Sequence, residues 1–206
     1  MNSCSSSLTA LVLAGGKSSR MGSDKALIPW EGIPMLTRVT QTAAACCQQV
    51  YIITPWPSRY LAVVNECYQF LEESNPGQGP LVALAQGFSQ IASKSPPNWI
   101  WLLACDLPCL QTKLVQTWIS QLSELAPETL ALVPQQKGRW EPLCGFYRLG
   151  VQQNLQNFIQ QGGRSFQVWL SQLPAKPLPV GILEAKMLWN CNTPEDLNYR
   201  NTDAKL

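Results

Sequence analysis

Lys25 and Asp106 are the two side chains on which the chemistry of this chain turns. Lys25 closes the stretch 11–25, LVLAGGKSSRMGSDK, in which a short apolar run ends in Ala14-Gly15-Gly16. A polar loop follows and carries Lys17, Arg20 and Lys25 around Met21-Gly22. Such a loop, at the carboxyl end of a strand, offers backbone N–H groups and cations to a polyphosphate. Gly15 and Gly16 permit positive φ and a close approach of backbone to phosphate. Arg20 can grip phosphate oxygens bidentately. Lys25 is a compact point charge suited to charge that develops on phosphorus. Asp24, beside it, reads as a group that orients the loop rather than a metal ligand. The competing reading is an ordinary strand–helix turn that happens to be basic.

Asp106 ends the apolar run 99–105, WIWLLAC, and stands two residues before Pro108. A lone carboxylate there is a natural Mg²⁺ ligand, with phosphate oxygens and waters completing the shell. The alternative is a turn or helix-capping aspartate. In an open parallel sheet, ligands bind beyond the carboxyl ends of the strands. If 9–13 and 99–104 are strands of one such sheet, the glycine loop and Asp106 face the same crevice.

Several chemistries are excluded. Gly16-Lys17-Ser18 resembles the tail of a Walker A loop, but Leu11 occupies the place of its first glycine. The adjacent glycines do not make the spaced dinucleotide fingerprint either. Histidine is absent, which removes His-ligated zinc and Ser-His-Asp or Cys-His nucleophilic machinery. The eight cysteines form no CxxC pair, so they read as reduced core thiols of a cytoplasmic protein. A net charge of +2, with 14% charged residues, gives no nucleic-acid footprint. No stretch reaches the roughly 20 apolar residues of a membrane span, and the start lacks the basic residue of a signal peptide before Lys17.

The elements that must position these groups alternate strands with helices, which predicts an α/β fold with a mostly parallel central sheet. Strands are expected at 9–13, 50–54, 68–71, 99–104, 130–133, 143–148 and 178–183. Helices are expected at 35–48, 81–92, 113–125, 151–161 and 165–170. A short terminal helix is expected at 194–199, with Thr193 as its N-cap. The proline-rich stretches 96–97 and 174–179 read as loops. The 206 residues suit one domain, with 1–7 disordered ahead of the first strand. Trp99 and Trp101 alternate along a strand and read as core packing, not as a base-stacking platform. Arg139, Glu141, Arg148 and Arg164 are open between substrate contact and surface.

With both sites in hand, the chain resembles the molybdenum cofactor guanylyltransferase family nearly end to end. The resemblance rests on LVLAGGKSSRMGSDKALIPWEGIPML, NPGQGPLVALAQGF, LLACDLPCL, EPLCGFYR, the GGRS segment and NCNTPEDL. It implies a three-layer α/β/α, Rossmann-like nucleotidyltransferase fold. It implies that Leu13, Ala14, Gly15 and Gly16 cradle GTP, that Lys25 contacts its phosphates and that Asp106 binds Mg²⁺. The family's nucleotide-site aspartate falls at Glu73, a departure by one methylene. Asn190 and Asn192 match asparagines on the pterin side, and local turn and capping chemistry would explain them equally well. The implied reaction is transfer of GMP from GTP to the phosphate of molybdopterin, with release of pyrophosphate. Cofactor-insertion proteins and molybdoenzymes are the implied recipients. The rivals are a CTP-dependent molybdopterin cytidylyltransferase, disfavoured by the Leu13-Ala14-Gly15-Gly16 and Gly79-Pro80-Leu81 segments, a nucleotide-sugar pyrophosphorylase, and a non-catalytic cofactor carrier.

Overall fold

A computed structural model describes residues 7–16, 23–94 and 96–198. In chain order it contains β1 (Leu8–Leu13), β2 (Pro29–Trp30), β3 (Ile33–Pro34), α1 (Met35–Ala44), β4 (Gln49–Thr54), β5 (Gln69–Glu72), α2 (Pro80–Ala92) and β6 (Trp99–Ala104). There follow α3 (Thr112–Ser120), β7 (Ala131–Gln136), β8 (Arg139–Trp140), β9 (Phe146–Arg148), α4 (Gln152–Gln160), α5 (Phe166–Ser171), β10 (Ala175–Pro179) and α6 (Ile182–Met187). One sheet runs in the order β10-β7-β9-β6-β1-β4-β5, with β8 paired to β7. The pairs β1–β4, β1–β6, β4–β5 and β7–β10 are parallel, and β9 runs antiparallel to both neighbours.

The period-2 pattern of the central strands explains the layers, because alternate side chains point to opposite faces. Val12, Ile52, Trp101 and Leu103 pack on one face with Leu36, Val39, Val115 and Trp118 from α1 and α3. Leu11, Tyr51, Ile53 and Leu102 pack on the other with Leu84, Phe88 and Leu155 from α2 and α4. The result is the expected α/β/α sandwich with a mostly parallel sheet. Trp99 and Trp101 lie wholly inside the first layer, and Trp101 stacks on Phe146 with ring centroids 5.8 Å apart.

Several expectations need correction. The stretch 174–179 is not a loop, because Ala175–Pro179 pairs with β7 as an edge strand. Proline is tolerated there because an edge strand can leave its N–H side unpaired. The strand expected at 178–183 therefore ends at Pro179, and Ile182 to Met187 are helical. The strand expected from 143 begins only at Phe146, after a 3₁₀ turn over Pro142–Cys144. α1 stops at Ala44, short of 48, and the helix expected to 125 gives way after Ser120 to a 3₁₀ turn, Gln121–Glu124. The β2–β3 hairpin, two residues per strand, is too short to show periodicity. Ser7 is bonded in place, its carbonyl accepting from Asn98 N and Trp99 N at 3.1 and 3.2 Å. The rest of the 1–7 expectation lies outside the described residues. No described helix is long and apolar enough to cross a membrane.

Candidate active site

After β1 the chain goes out to β4 and β5, and it returns to the other side of β1 only with β6. The reversal between β1 and β6 makes a crevice at their carboxyl ends, where such sheets bind ligands. A cleft of about 600 Å³ opens there. Leu13, Ala14, Gly15 and Gly16 line it from β1, Lys25 and Asp106 from beside it, and Glu73 from the end of β5. Gly79 and Pro80 bring the N-terminus of α2 to the same cleft. Arg20 lies outside the described residues.

The glycine loop passes tightly over β4. Gly15 has φ +146°, and a Cβ there would lie 2.6 Å from Pro55 Cδ. Only glycine can hold that backbone without displacing Pro55. Lys25 opens a 3₁₀ turn, Lys25–Leu27, capped by Asp24. Asp24 Oδ1 accepts from Ala26 N at 3.1 Å, and its Oδ2 accepts from the hydroxyl of Tyr60 at 2.7 Å. Both oxygens are thus used to hold the turn, as expected of an orienting residue. Tyr60 is wholly buried in the segment after β4. Burial, followed by its contact with Asp24, pushes its hydroxyl pKa well up, so it stays a donor.

Lys25 Nζ donates to Asp106 Oδ2 at 3.3 Å and to Asn192 Oδ1 at 2.6 Å. The Lys25 and Asp106 side chains are each 17% exposed. Burial raises the Asp106 carboxyl above the usual aspartate range, against the opposing pull of the Lys25 charge. Asp106 Oδ1 is buried and has no hydrogen-bond partner among the described residues. A charged oxygen in that state is costly unless something pairs with it. The described residues contain no cluster of three His, Cys, Asp or Glu that would hold a metal alone. The donor set fits a Mg²⁺ held by one carboxylate, phosphate oxygens and water.

The two asparagines behave differently. Asn192 reaches the centre of the site, whereas Asn190 Nδ2 donates to Leu188 O at 3.2 Å, a local turn bond. Asp196 Oδ2 accepts from Asn192 N and Thr193 N at 2.7 and 2.8 Å, and Cys191 N donates to Asp106 O at 3.0 Å. In place of the helix expected over 194–199 there is a 3₁₀ turn, Glu195–Asn198; Thr193 stands two residues before it, its Oγ1 accepting from Asp196 N at 3.4 Å, and position 199 lies outside the described residues. Glu73 is half-buried, and burial raises its carboxyl pKa. Arg148 donates to Thr129 O at 2.8 Å and lies 4.4 Å over the Trp99 ring, and Arg164 donates to Ile159 O and Gly163 O. Neither lines the cleft, and nor do Arg139 and Glu141. Tyr60 and Trp56 also belong to this region, through the Asp24 contact and the cleft wall respectively. Tyr60 carries no motif signal, but Trp56 stands just past the end of β4, where a parallel sheet presents ligand-contacting residues.

Among known proteins, a family model described as the MobA-like NTP transferase domain matches residues 10–175. A probable molybdenum cofactor guanylyltransferase of Trichormus variabilis is 50% identical over 194 residues, covering 92% of this chain and 88% of its own. One from Synechococcus elongatus is 42% identical over 189 residues, covering 91% of this chain and 94% of its own. The crystal structure of molybdopterin-guanine dinucleotide biosynthesis protein A from Archaeoglobus fulgidus superposes with a TM-score of 0.75 at 22% identity. It covers 92% of this chain and 95% of its own, which is a likeness of fold.

Proposed function

The chain belongs to the molybdenum cofactor guanylyltransferases of the MobA-like NTP transferase family, and from that premise we propose that it transfers GMP from GTP to the terminal phosphate of molybdopterin. The observation that carries the reading is the meeting of Lys25, Asp106 and Asn192 beside the glycine loop. An oxygen of the acceptor phosphate attacks the α-phosphorus of GTP. The bond from that phosphorus to the bridging α–β oxygen breaks, and pyrophosphate leaves with the electron pair. The attacking group is already an anion, so no general base is needed and the absence of histidine is no obstacle.

The residues work by holding and by charge. Leu13 to Gly16 present backbone N–H groups to the triphosphate. Lys25, with Arg20, offsets the negative charge that builds on the α-phosphoryl group. Glu73 contacts the nucleoside from the β5 end. Asn192 orients Lys25 and faces the acceptor, with Asn190 shaping the turn beneath it. Asp106 would hold Mg²⁺, which when bound neutralises phosphate charge. The seven described cysteines are free thiols, which suits a reaction in the reducing cytoplasm, upstream of cofactor insertion into molybdoenzymes.

The test is incubation with molybdopterin, Mg²⁺ and each nucleoside triphosphate, with mass detection of products. The expected product is the guanine dinucleotide with one pyrophosphate per turnover. A cytosine dinucleotide formed equally fast would overturn the base assignment, and no dinucleotide at all would overturn the reaction.

A further inference from the structure

The strand ends beneath the cleft lie in register. Ala104, Leu13, Ile53 and Leu71 are matched across β6, β1, β4 and β5. Two residues beyond each stand Asp106, Gly15, Pro55 and Glu73. With neighbouring strands ~4.8 Å apart, Asp106 and Glu73 end a row of roughly 14 Å. Lys25 and Asp106 meet at the β6–β1 end of that row. A nucleoside triphosphate with its reacting phosphates there extends its base over the β4–β5 end, a placement that rests on the reaction proposed above.

At the β4–β5 end the cleft is walled by Trp56, Glu73, Pro76 and Gly77. Trp56 differs from the core tryptophans, because it is half-buried whereas Trp99, Trp101 and Trp169 are enclosed. Its place is fixed from both sides. Trp56 N donates to Thr54 Oγ1 at 3.1 Å, and Trp56 O accepts from Arg59 N at 3.1 Å. The Arg59 guanidinium lies over the indole, 4.2 Å from its centroid. Arg59 is exposed and is not part of the cleft lining, whereas Trp56 is. Arg59 thus occupies one face of the indole, and Trp56 itself borders the cleft.

We propose that Trp56 is the stacking platform for the base of the nucleotide, braced from outside by Arg59. A planar π-face at the base end supplies affinity without choosing among bases, because every base has a π-face. The cation on the opposite face holds the ring flat to the cleft. Discrimination then falls to groups that meet the base edge, with the Glu73 carboxylate nearest in the row.

The experiment is equilibrium titration with Mg²⁺–GTP, with Mg²⁺–CTP and with Mg²⁺–tripolyphosphate, which carries the phosphates without the base. Wild type, Trp56→Leu, Trp56→Phe and Arg59→Ala are compared. Trp56→Leu is expected to weaken GTP about tenfold and leave tripolyphosphate unchanged, while Trp56→Phe keeps GTP within about threefold of wild type. Arg59→Ala, at an exposed position, is expected to weaken GTP about threefold and leave tripolyphosphate unchanged. It keeps the test decisive if Trp56→Leu does not fold. Unchanged GTP affinity in folded Trp56→Leu and in Arg59→Ala, or equal loss for both ligands, overturns the platform. A wild type that prefers CTP overturns the guanylyl assignment alone, and the platform stands if the same variants then weaken CTP. A wild type that binds neither triphosphate overturns both.

Discussion

At the residue scale, the site is a half-buried charge pair left one bond short. Lys25 satisfies one oxygen of Asp106 and Asn192 at once, and the second Asp106 oxygen has no described partner. Removing the ammonium leaves the developing phosphoryl charge unopposed, so Lys25→Ala is expected to cut pyrophosphate release by roughly 10²–10³-fold with the far-UV spectrum unchanged. Asp106 carries a cost as well as a role. Burial raises its carboxyl pKa, so the folded state favours the protonated form more than the unfolded chain does. Ionised Asp106 therefore lowers stability above that raised pKa, and the penalty disappears as pH falls through it. In the absence of Mg²⁺ at neutral pH, Asp106→Asn is expected to raise the melting temperature by roughly 2–4 °C while abolishing metal-dependent turnover. A drop in melting temperature would show that the carboxylate holds the fold together rather than strains it.

At the element scale, the loops are braced against one another. Asp24 caps the turn that carries Lys25, and Tyr60 reaches from the segment after β4 to the other oxygen of that carboxylate. Tyr60→Phe keeps the packing and removes only the donor. It is expected to lower kcat about tenfold, with a smaller change in the KM for GTP, because the turn drifts while the nucleotide cradle stays. Equal kcat in Tyr60→Phe and wild type would release Tyr60 from any positioning role. The cradle itself depends on Gly15. With a Cβ 2.6 Å from Pro55 Cδ, Gly15→Ala must push β1's loop off β4. Calorimetric titration is expected to show GTP binding lost, beyond a destabilisation of about 1–3 kcal/mol.

At the scale of the whole molecule, residues 81 and 167 positions apart meet at one ammonium. The closing segment is held by a small apolar cluster of its own. Trp30, Met35 and Cys191 are buried together, and Trp189 packs on Trp30 with centroids 5.4 Å apart. That cluster fastens the C-terminal segment to the β2–β3 hairpin and so carries Asn192 to Lys25. Trp189→Ala, at a partly buried position, is expected to lose about 1–3 kcal/mol in denaturant unfolding, and to lower turnover below the denaturation range as Asn192 leaves Lys25. Full activity at native temperature would mean that the asparagine is held by Asp196 and the Cys191–Asp106 backbone bond alone.

Much of this was legible before any fold was known. The alternation of β1, β4 and β6 gave the layers, and the glycine loop, Lys25 and Asp106 were found by residue type and spacing, because local backbone chemistry writes itself into local sequence. What failed was short or edge-placed: the proline-bearing β10 and the two-residue β2 and β3, where pairing partners override propensity, and the six-residue helix that begins at Ile182. The sequence by itself determined the chemistry available, a glycine loop followed by cations and a carboxylate, with no histidine to serve as a base. Only the tertiary structure decided that Asn192 reaches Lys25 while Asn190 turns back to Leu188. It also set Tyr60 under Asp24 and placed Trp56 at the β4–β5 end of the cleft with Arg59 over its ring. Those contacts depend on strand order and register, which bring distant segments to one crevice and leave no periodic trace in the chain.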